Sequence, residues 1–365
     1  MFATAFRQRP RQNRRNLSYP EQHPYLILVL FTLVSVIAML LACEISVRIF
    51  FPKIGYVGES GSTLYQWKKF GDSYGYRANA TGVSWGVSLI TDEFGFRHDP
   101  TQKPQPSTVP SIVILGDSVP NGIGVEASQI FSTLLENRLR KRIINTSVTQ
   151  YSIKDYENVV RYFVVPKRAE LNIERAVLFV TLNDLDRSSD AQDDLEQQPA
   201  SPQTPTLAFI VRLAKRVNEA FDFNTWLVQR SKLYLLLKSI GYDSSKAWFL
   251  GDLEHFHNSD DLKGFSDRLR AIKAALDAAG IPMLVVILPY EYQLRQPTAE
   301  NLFPQKVLAK ILTEGGFKFL DMHSRFQEAE KQKSMKSWDF FLFNDHCHLS
   351  AIGHALVAEV LADFL

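Results

Sequence analysis

From Tyr25 to Ala42 the chain reads YLILVLFTLVSVIAMLLA, eighteen residues without a charge. A run that is apolar all round has no polar side to turn to water, so the pattern predicts a helix in a lipid setting. At 1.5 Å per residue it is about 27 Å long, close to the thickness of a bilayer's hydrocarbon core. Apolar character resumes past Cys43 as EISVRIFF, Glu44 and Arg48 stand four apart, where they can pair, and Pro52 ends the pattern. The predicted transmembrane helix is therefore 25–51. Three other readings compete with it: a buried soluble helix, a cleaved signal peptide, and a lipobox-like site at Leu40-Leu41-Ala42-Cys43. The run is long for a core helix or a signal peptide, no small-x-small site follows it, and the helical pattern continues through Cys43.

Residues 52–110 are rich in Gly, Ser and Tyr, with short β-prone pieces at GVSWGVSLIT and EFGFR. They predict an extended, hairpin-like lead-in. A breaker cluster at Lys103-Pro104-Gln105-Pro106-Ser107 marks entry into the main domain, 111–365. There the pattern alternates. Strands are predicted at 111–116, 143–148, 176–182, 282–289 and 317–321, and helices at 131–142, 154–165, 262–279 and 350–364. Strands separated by helices predict an α/β fold, a three-layer doubly wound (flavodoxin-like) sheet of five parallel strands. The rhythm breaks at 186–262, which opens with the polar SSDAQDDLEQQPASPQTP and continues with two helix candidates, LAFIVRLAKRVNEAF and SKLYLLLKSI. This reads as an insertion between the third and fourth strands, either a lid over the site or a helical decoration.

The charge distribution adds an orientation. Net charge is +2, which gives no reason to expect a nucleic-acid partner. Yet Arg7, Arg9, Arg11, Arg14 and Arg15 crowd the first fifteen positions, which hold no acidic residue. The positive-inside rule then makes 1–24 a cytoplasmic tail, and places everything after Phe51 outside a plasma (inner) membrane crossed once. The two cysteines, Cys43 and Cys347, are too few and too far apart for a disulfide framework.

Candidate chemistry sits at the ends of the predicted strands. The first strand runs into Leu115-Gly116-Asp117-Ser118. A serine at a strand-to-helix turn has an exposed hydroxyl and nearby backbone N–H groups able to hold an oxyanion. Near the other end lies Asp345-His346-Cys347-His348, ahead of a helix whose N-cap is Ser350. A carboxylate three residues before an imidazole can fix its orientation, which favours His348 as a base over His346 and His354. After the third strand, the Asn183 amide is a candidate oxyanion donor, or Asn183 and Asp184 simply cap the turn. All these positions fall at the carboxyl edge of the sheet, where ligands bind in open α/β folds. The histidines and Asp345 lack a zinc-site spacing, so neither a metal nor a cofactor is expected.

GDSVPNGIGV, TLND and DHCHLS resemble, in order, the motif blocks of the SGNH (GDSL) hydrolase superfamily. The membrane helix and TDEFGFR resemble its membrane-anchored branch, some members of which act on acylated extracellular glycans. The resemblance covers about 111–365. It implies Ser118 as nucleophile, His348 as base and Asp345 as its orienter, with an oxyanion hole from the Ser118 N–H, the N–H at Gln150 and the Asn183 amide. Two positions depart from the pattern: Gln150 stands where the second-block glycine belongs, and Thr181 replaces the glycine opening the third block. The expected activity is a membrane-anchored esterase or O-acyltransferase acting on an acylated glycan or another ester. The competing reading is a catalytically silent envelope protein that uses the fold to bind or scaffold a glycan-processing assembly.

Overall fold

The computed structural model describes residues 23–55, 64–103, 105–106, 108–185 and 223–365. The arginine-rich start, the acidic stretch beginning at 186 and the first of the two inserted helix candidates lie outside them. The chain divides into two units, Met1–Pro52 and Lys53–Leu365.

In the first unit, helix α1 spans Pro24–Phe50, with proline at its first position, where a missing N–H costs nothing. Its uncharged run, 25–42, is apolar all round, and the 27-residue helix is long and apolar enough to cross a membrane. Arg48 Nε donates to Glu44 Oε1 at 2.7 Å, the expected i,i+4 pair.

The second unit opens with two antiparallel hairpins. The first pairs β1 (Tyr65–Phe70) with β2 (Ser73–Tyr76), and the second pairs β3 (Thr81–Ser84) with β4 (Val87–Ile90). The α/β layers follow in chain order. They are β5 (Ser111–Leu115), α2 (Ser118–Asn121), α3 (Phe131–Leu139), β6 (Arg142–Asn145), α4 (Ile153–Val159), and β7 (Ile173–Val180). Next come α5 (Phe223–Val228), α6 (Lys232–Gly241), α7 (Ser244–His255), α8 (Ser259–Ala278) and β8 (Met283–Ile287). The last elements are α9 (Glu291–Arg295), α10 (Phe303–Glu314), β9 (Lys318–Asp321), α11 (His323–Lys333) and α12 (Ala351–Phe364).

The five strands β5 to β9 form one parallel sheet in the order β6-β5-β7-β8-β9. This is the doubly wound arrangement predicted from the alternation. All of β5 is buried, as are the last five residues of β7, because helices cover both faces. Each buried Val, Ile or Leu there contributes roughly 1.5–3 kcal/mol of burial. From β5 the chain steps outward to β6 and then crosses back to β7 on the other side, so the order reverses between β5 and β7, whose carboxyl ends open onto a crevice.

Several boundaries differ from the sequence pattern. Helix α3 stops at Leu139 because Arg140 adopts φ +53, and β6 begins at Arg142 and ends at Asn145. Helix α4 continues through a π-turn, Val160–Val164, which widens the helix before Pro166. Helices α7, α10 and α11 were not expected. Ser118 and its neighbours are buried rather than surface-facing.

The first hairpin is fastened to the sheet domain by its polar side chains. Ser73 Oγ donates to Asp155 at 2.5 Å, while Asp155 also accepts from the Ser152 N–H at the start of α4. The Tyr74 hydroxyl donates to the Thr149 carbonyl at 2.6 Å, and the Tyr65 hydroxyl meets Thr149 Oγ1 at 2.7 Å. The loop after β6 is thus held from outside by tyrosines of the lead-in.

Candidate active site

Ser118 owes its position to a sharp turn. After β5 the chain doubles back at Gly116, where a Cβ would fall 2.3 Å from the Pro120 ring. Only glycine fits so close an approach. Asp117 then caps α2, its carboxylate accepting from the Val119 N–H at 2.9 Å. The four-residue helix closes at Gly122, φ +78, whose N–H reaches back to the Ser118 carbonyl. Ser118 is 9% exposed.

His348 and Asp345 belong to a loop closed on itself between Phe341 and Leu349. Those two residues form an isolated antiparallel bridge, and the Leu342 N–H donates to the His348 carbonyl at 2.8 Å. Asp345 organises the interior. One carboxylate oxygen accepts from the Cys347 and His348 N–H groups at 2.9 and 2.8 Å, and the other meets His348 Nδ1 at 2.8 Å. Ser350 caps α12 through the Gly353 N–H, as the sequence predicted.

The two pieces meet. Ser118 Oγ lies 2.8 Å from His348 Nε2, across 230 residues of chain. Serine, imidazole and carboxylate are thereby joined in series by two short hydrogen bonds, the geometry in which an imidazole can take a proton from a hydroxyl. Burial disfavours a charged Asp345, but the charge and hydrogen bond of His348, with His346 and the backbone N–H beside it, outweigh this and hold the carboxyl far below the ordinary carboxylate range.

Asn183 follows β7 in a short 3₁₀ turn and is half-buried. Its amide donates to Asp117 Oδ2 at 3.3 Å, one residue from Ser118. The capping is done by Asp184, which accepts from the Thr181 N–H at 2.7 Å and from the Tyr156 hydroxyl at 2.6 Å. Of the two, Asp184 does the capping, while the Asn183 amide is turned toward Asp117. Gln150 is exposed and adopts φ +63, the left-handed region where glycine is unstrained. The backbone at this departure thus keeps a shape that suits the missing glycine.

The other histidines have their own surroundings. His346 stacks on Trp248 at 5.2 Å and meets Tyr290 edge-on at 4.9 Å, with its Nδ1 3.7 Å from Asp345. His354 is fully buried, stacks on Phe131, and accepts from the Phe131 N–H at 3.4 Å. Burial, reinforced by Arg97 and His348, pushes its pKa down to about 3. Asp345, Cys347 and His348 also bring possible ligand atoms within 4.8 Å of one another, but the His348 Nδ1–Asp345 hydrogen bond already uses two of them.

Several residues of the site carried no sequence signal. Trp85, at the tip of the second hairpin, places its ring 5.1 Å from that of His348. Arg97 is buried and donates to the carbonyls of Gly122 and Val125, just past α2. Tyr290 and Trp248 enclose His346. Arg97 lies in the TDEFGFR stretch, but the carbonyls of Gly122 and Val125 that it holds are more than twenty residues away and nothing local announces them.

No protein-family model matches the chain, and no curated protein matches it. Solved structures do. The chain is similar to an acetyl xylan esterase at 14% identity, over 70% of this chain and 99% of that one, with a TM-score of 0.42. It is similar to an acetylxylan esterase from Geobacillus stearothermophilus at 13% identity, over 72% and 95%, with a TM-score of 0.40. A member of the lipolytic protein G-D-S-L family from Veillonella parvula DSM 2008 matches at 12% identity, over 70% and 97%, with a TM-score of 0.36.

Proposed function

We propose that this chain is a serine esterase, anchored by α1 with its second unit outside the cytoplasm, that acts on ester-linked acyl groups, acetyl groups of a glycan foremost. The observation that carries the reading is the pair of 2.8 Å hydrogen bonds running from Ser118 through His348 to Asp345.

The chemistry follows from that series. Ser118 Oγ attacks the ester carbonyl carbon as its proton passes to His348 Nε2. Asp345, ionised, holds the imidazole by Nδ1 and stabilises the imidazolium as it forms. The carbonyl oxygen becomes an oxyanion. The candidate donors to it are the Ser118 N–H, the Gln150 N–H and the Asn183 amide, of which Asn183 already points to the neighbourhood of Ser118. The intermediate collapses, the C–O bond to the sugar breaks, and the leaving alkoxide takes the proton from His348. Water then gives up a proton to His348 and attacks the acyl-Ser118, releasing the carboxylic acid and restoring the hydroxyl. A sugar hydroxyl in place of that water gives O-acyl transfer by the same steps.

A fluorophosphonate probe tests the activated serine. The full-length protein in detergent is expected to label at Ser118, and peptide mapping locates the adduct. An unlabelled Ser118 in folded protein sinks the esterase reading in favour of the binding or scaffolding alternative.

A further inference from the structure

Two tryptophans stand beside the triad without a part in the steps above. Trp85 lies 5.1 Å from His348, ring to ring, and Trp248 lies 5.2 Å from His346 with the planes 16° apart. His346 and His348 are themselves 5.7 Å apart. The four rings, Trp85, His348, His346 and Trp248, make a continuous row leading away from the serine's base.

Both tryptophans are held firmly. Ser84 pairs with Val87, so the β3–β4 loop has two residues, Trp85 and Gly86, at φ +49 and +80. Such a turn favours Asn-Gly, and a bulky residue at its first position costs on the order of 1–3 kcal/mol. A strained residue whose ring reaches a catalytic imidazole points to function rather than folding. Helix α7, which carries Trp248, is pinned near both ends. Its N-cap Asp243 receives both Arg295 guanidinium N–H groups at 2.9 Å, and Asp252 accepts from the buried Tyr290 hydroxyl at 2.5 Å. Between these anchors Trp248 stays 53% exposed. A rigid, exposed aromatic loses little freedom when a ligand covers it.

We propose that Trp85 and Trp248 position sugar rings of the substrate, Trp85 stacking on the ring that bears the ester and Trp248 on its neighbour along the glycan. The assignment rests on the acylated-glycan reading above. A pyranose ring presents C–H groups on its face and hydroxyls round its edge. The face packs against the negative π surface of an indole while the edge keeps its water. A long acyl chain needs an enclosed apolar channel instead. Trp248 remains half in solvent, with the exposed Lys246 on the same helix and the Asp243–Arg295 pair at that helix's start, which suits a polyol.

The test uses full-length protein in detergent, as wild type, Trp85→Asn, Trp248→Ala and, as an exposed-tryptophan control, Trp226→Ala. Initial rates are read on p-nitrophenyl acetate and on O-acetylated monosaccharides and β-1,4-linked tetrasaccharides of xylose, glucose, mannose and N-acetylglucosamine. Trp248→Ala is expected to lower kcat/KM on the preferred tetrasaccharide about tenfold, through KM, and to erase the wild-type preference for tetrasaccharide over monosaccharide. Trp85→Asn is expected to lower kcat/KM on both sugar esters about tenfold with Tm unchanged or raised, because Asn suits the turn. Trp226→Ala leaves the sugar preference intact. Equal losses on aryl and sugar esters in Trp248→Ala, or a wild type without preference for the longer sugar, overturn the proposal. A wild type that cleaves p-nitrophenyl acetate but none of the acetylated sugars also overturns it while leaving the serine esterase standing. Activity on no ester at all removes both.

Discussion

The guanidinium of Arg97 donates to the carbonyl of Gly122 at 2.5 Å, the residue that closes the helix beginning at Ser118. That bond comes from Nη1; Nη2 donates to the carbonyls of Val125 at 2.7 Å and of Ser88 on β4 at 3.1 Å. One buried side chain thereby couples the hairpin that carries Trp85 to the helix that carries Ser118. Arg97→Met leaves these carbonyls buried without their charged donor, at a cost of about 3 kcal/mol. Urea unfolding measures that loss, and fluorophosphonate labelling of Ser118 is expected to slow in parallel. Arg97→Lys recovers only part of both, since an ammonium cannot span the fork. A variant that labels at the wild-type rate would separate Arg97 from the site.

Ser118→Ala is expected to abolish ester hydrolysis and labelling together. The hydroxyl makes one short hydrogen bond, to His348 at 2.8 Å, and a long one to Asp117 at 3.5 Å, so stability changes by about 1 kcal/mol. Retained turnover in the folded variant would move the nucleophile elsewhere.

Asp345→Asn keeps the size of the side chain but puts an amide where the carboxylate accepts from His348 Nδ1, which favours the wrong imidazole tautomer. Turnover is expected to fall by orders of magnitude with KM little changed. His348→Ala removes the base outright. His346→Ala loses the stack on Trp248 and leaves the triad in place, so its effect is expected to be much smaller on p-nitrophenyl acetate. A larger defect in His346→Ala than in His348→Ala would reverse the assignment of the base.

His354 gives the fold an acid-side weakness. Its pKa is about 3 in the folded protein, against an ordinary value near 6.5, because burial disfavours the charged ring. Between those values the unfolded chain binds a proton that the folded one does not. Stability is therefore full above pH 6.5 and declines as pH falls, by about 1.4 kcal/mol per unit while His354 titrates only in the unfolded state. His354→Gln is expected to flatten the urea-stability profile between pH 6.5 and 5. An unchanged slope would assign the decline to other groups.

The arginine-rich start and the uncharged run of α1 predict a topology with the N-terminus inside. Reporter fusions after residue 60 are expected to be active only outside the cytoplasm. Cytoplasmic activity of a full-length fusion would place the triad on the other side of the membrane.

The sequence alone determined the sheet and the candidate nucleophile and base. Strands such as β5, buried throughout, read as continuous apolar runs because a parallel sheet is covered on both faces, and that signal is local. The Gly-Asp-Ser turn and the Asp345-x-x-His348 loop are local too, since each is built from neighbours a few residues apart. Helices α7, α10 and α11 were missed although they are regular. Buried positions on α11 are only His323, Phe326 and Ala329, too few to mark a face in a polar stretch. Tertiary structure alone decided that Ser118 meets His348 across 230 residues, that Asn183 rather than Asp184 faces Asp117, and that Trp85 and Arg97 of the lead-in complete the site. Those contacts depend on which loops the sheet order brings to one edge. Closing such long loops is repaid by the buried core as a whole, so no short stretch of residues encodes them.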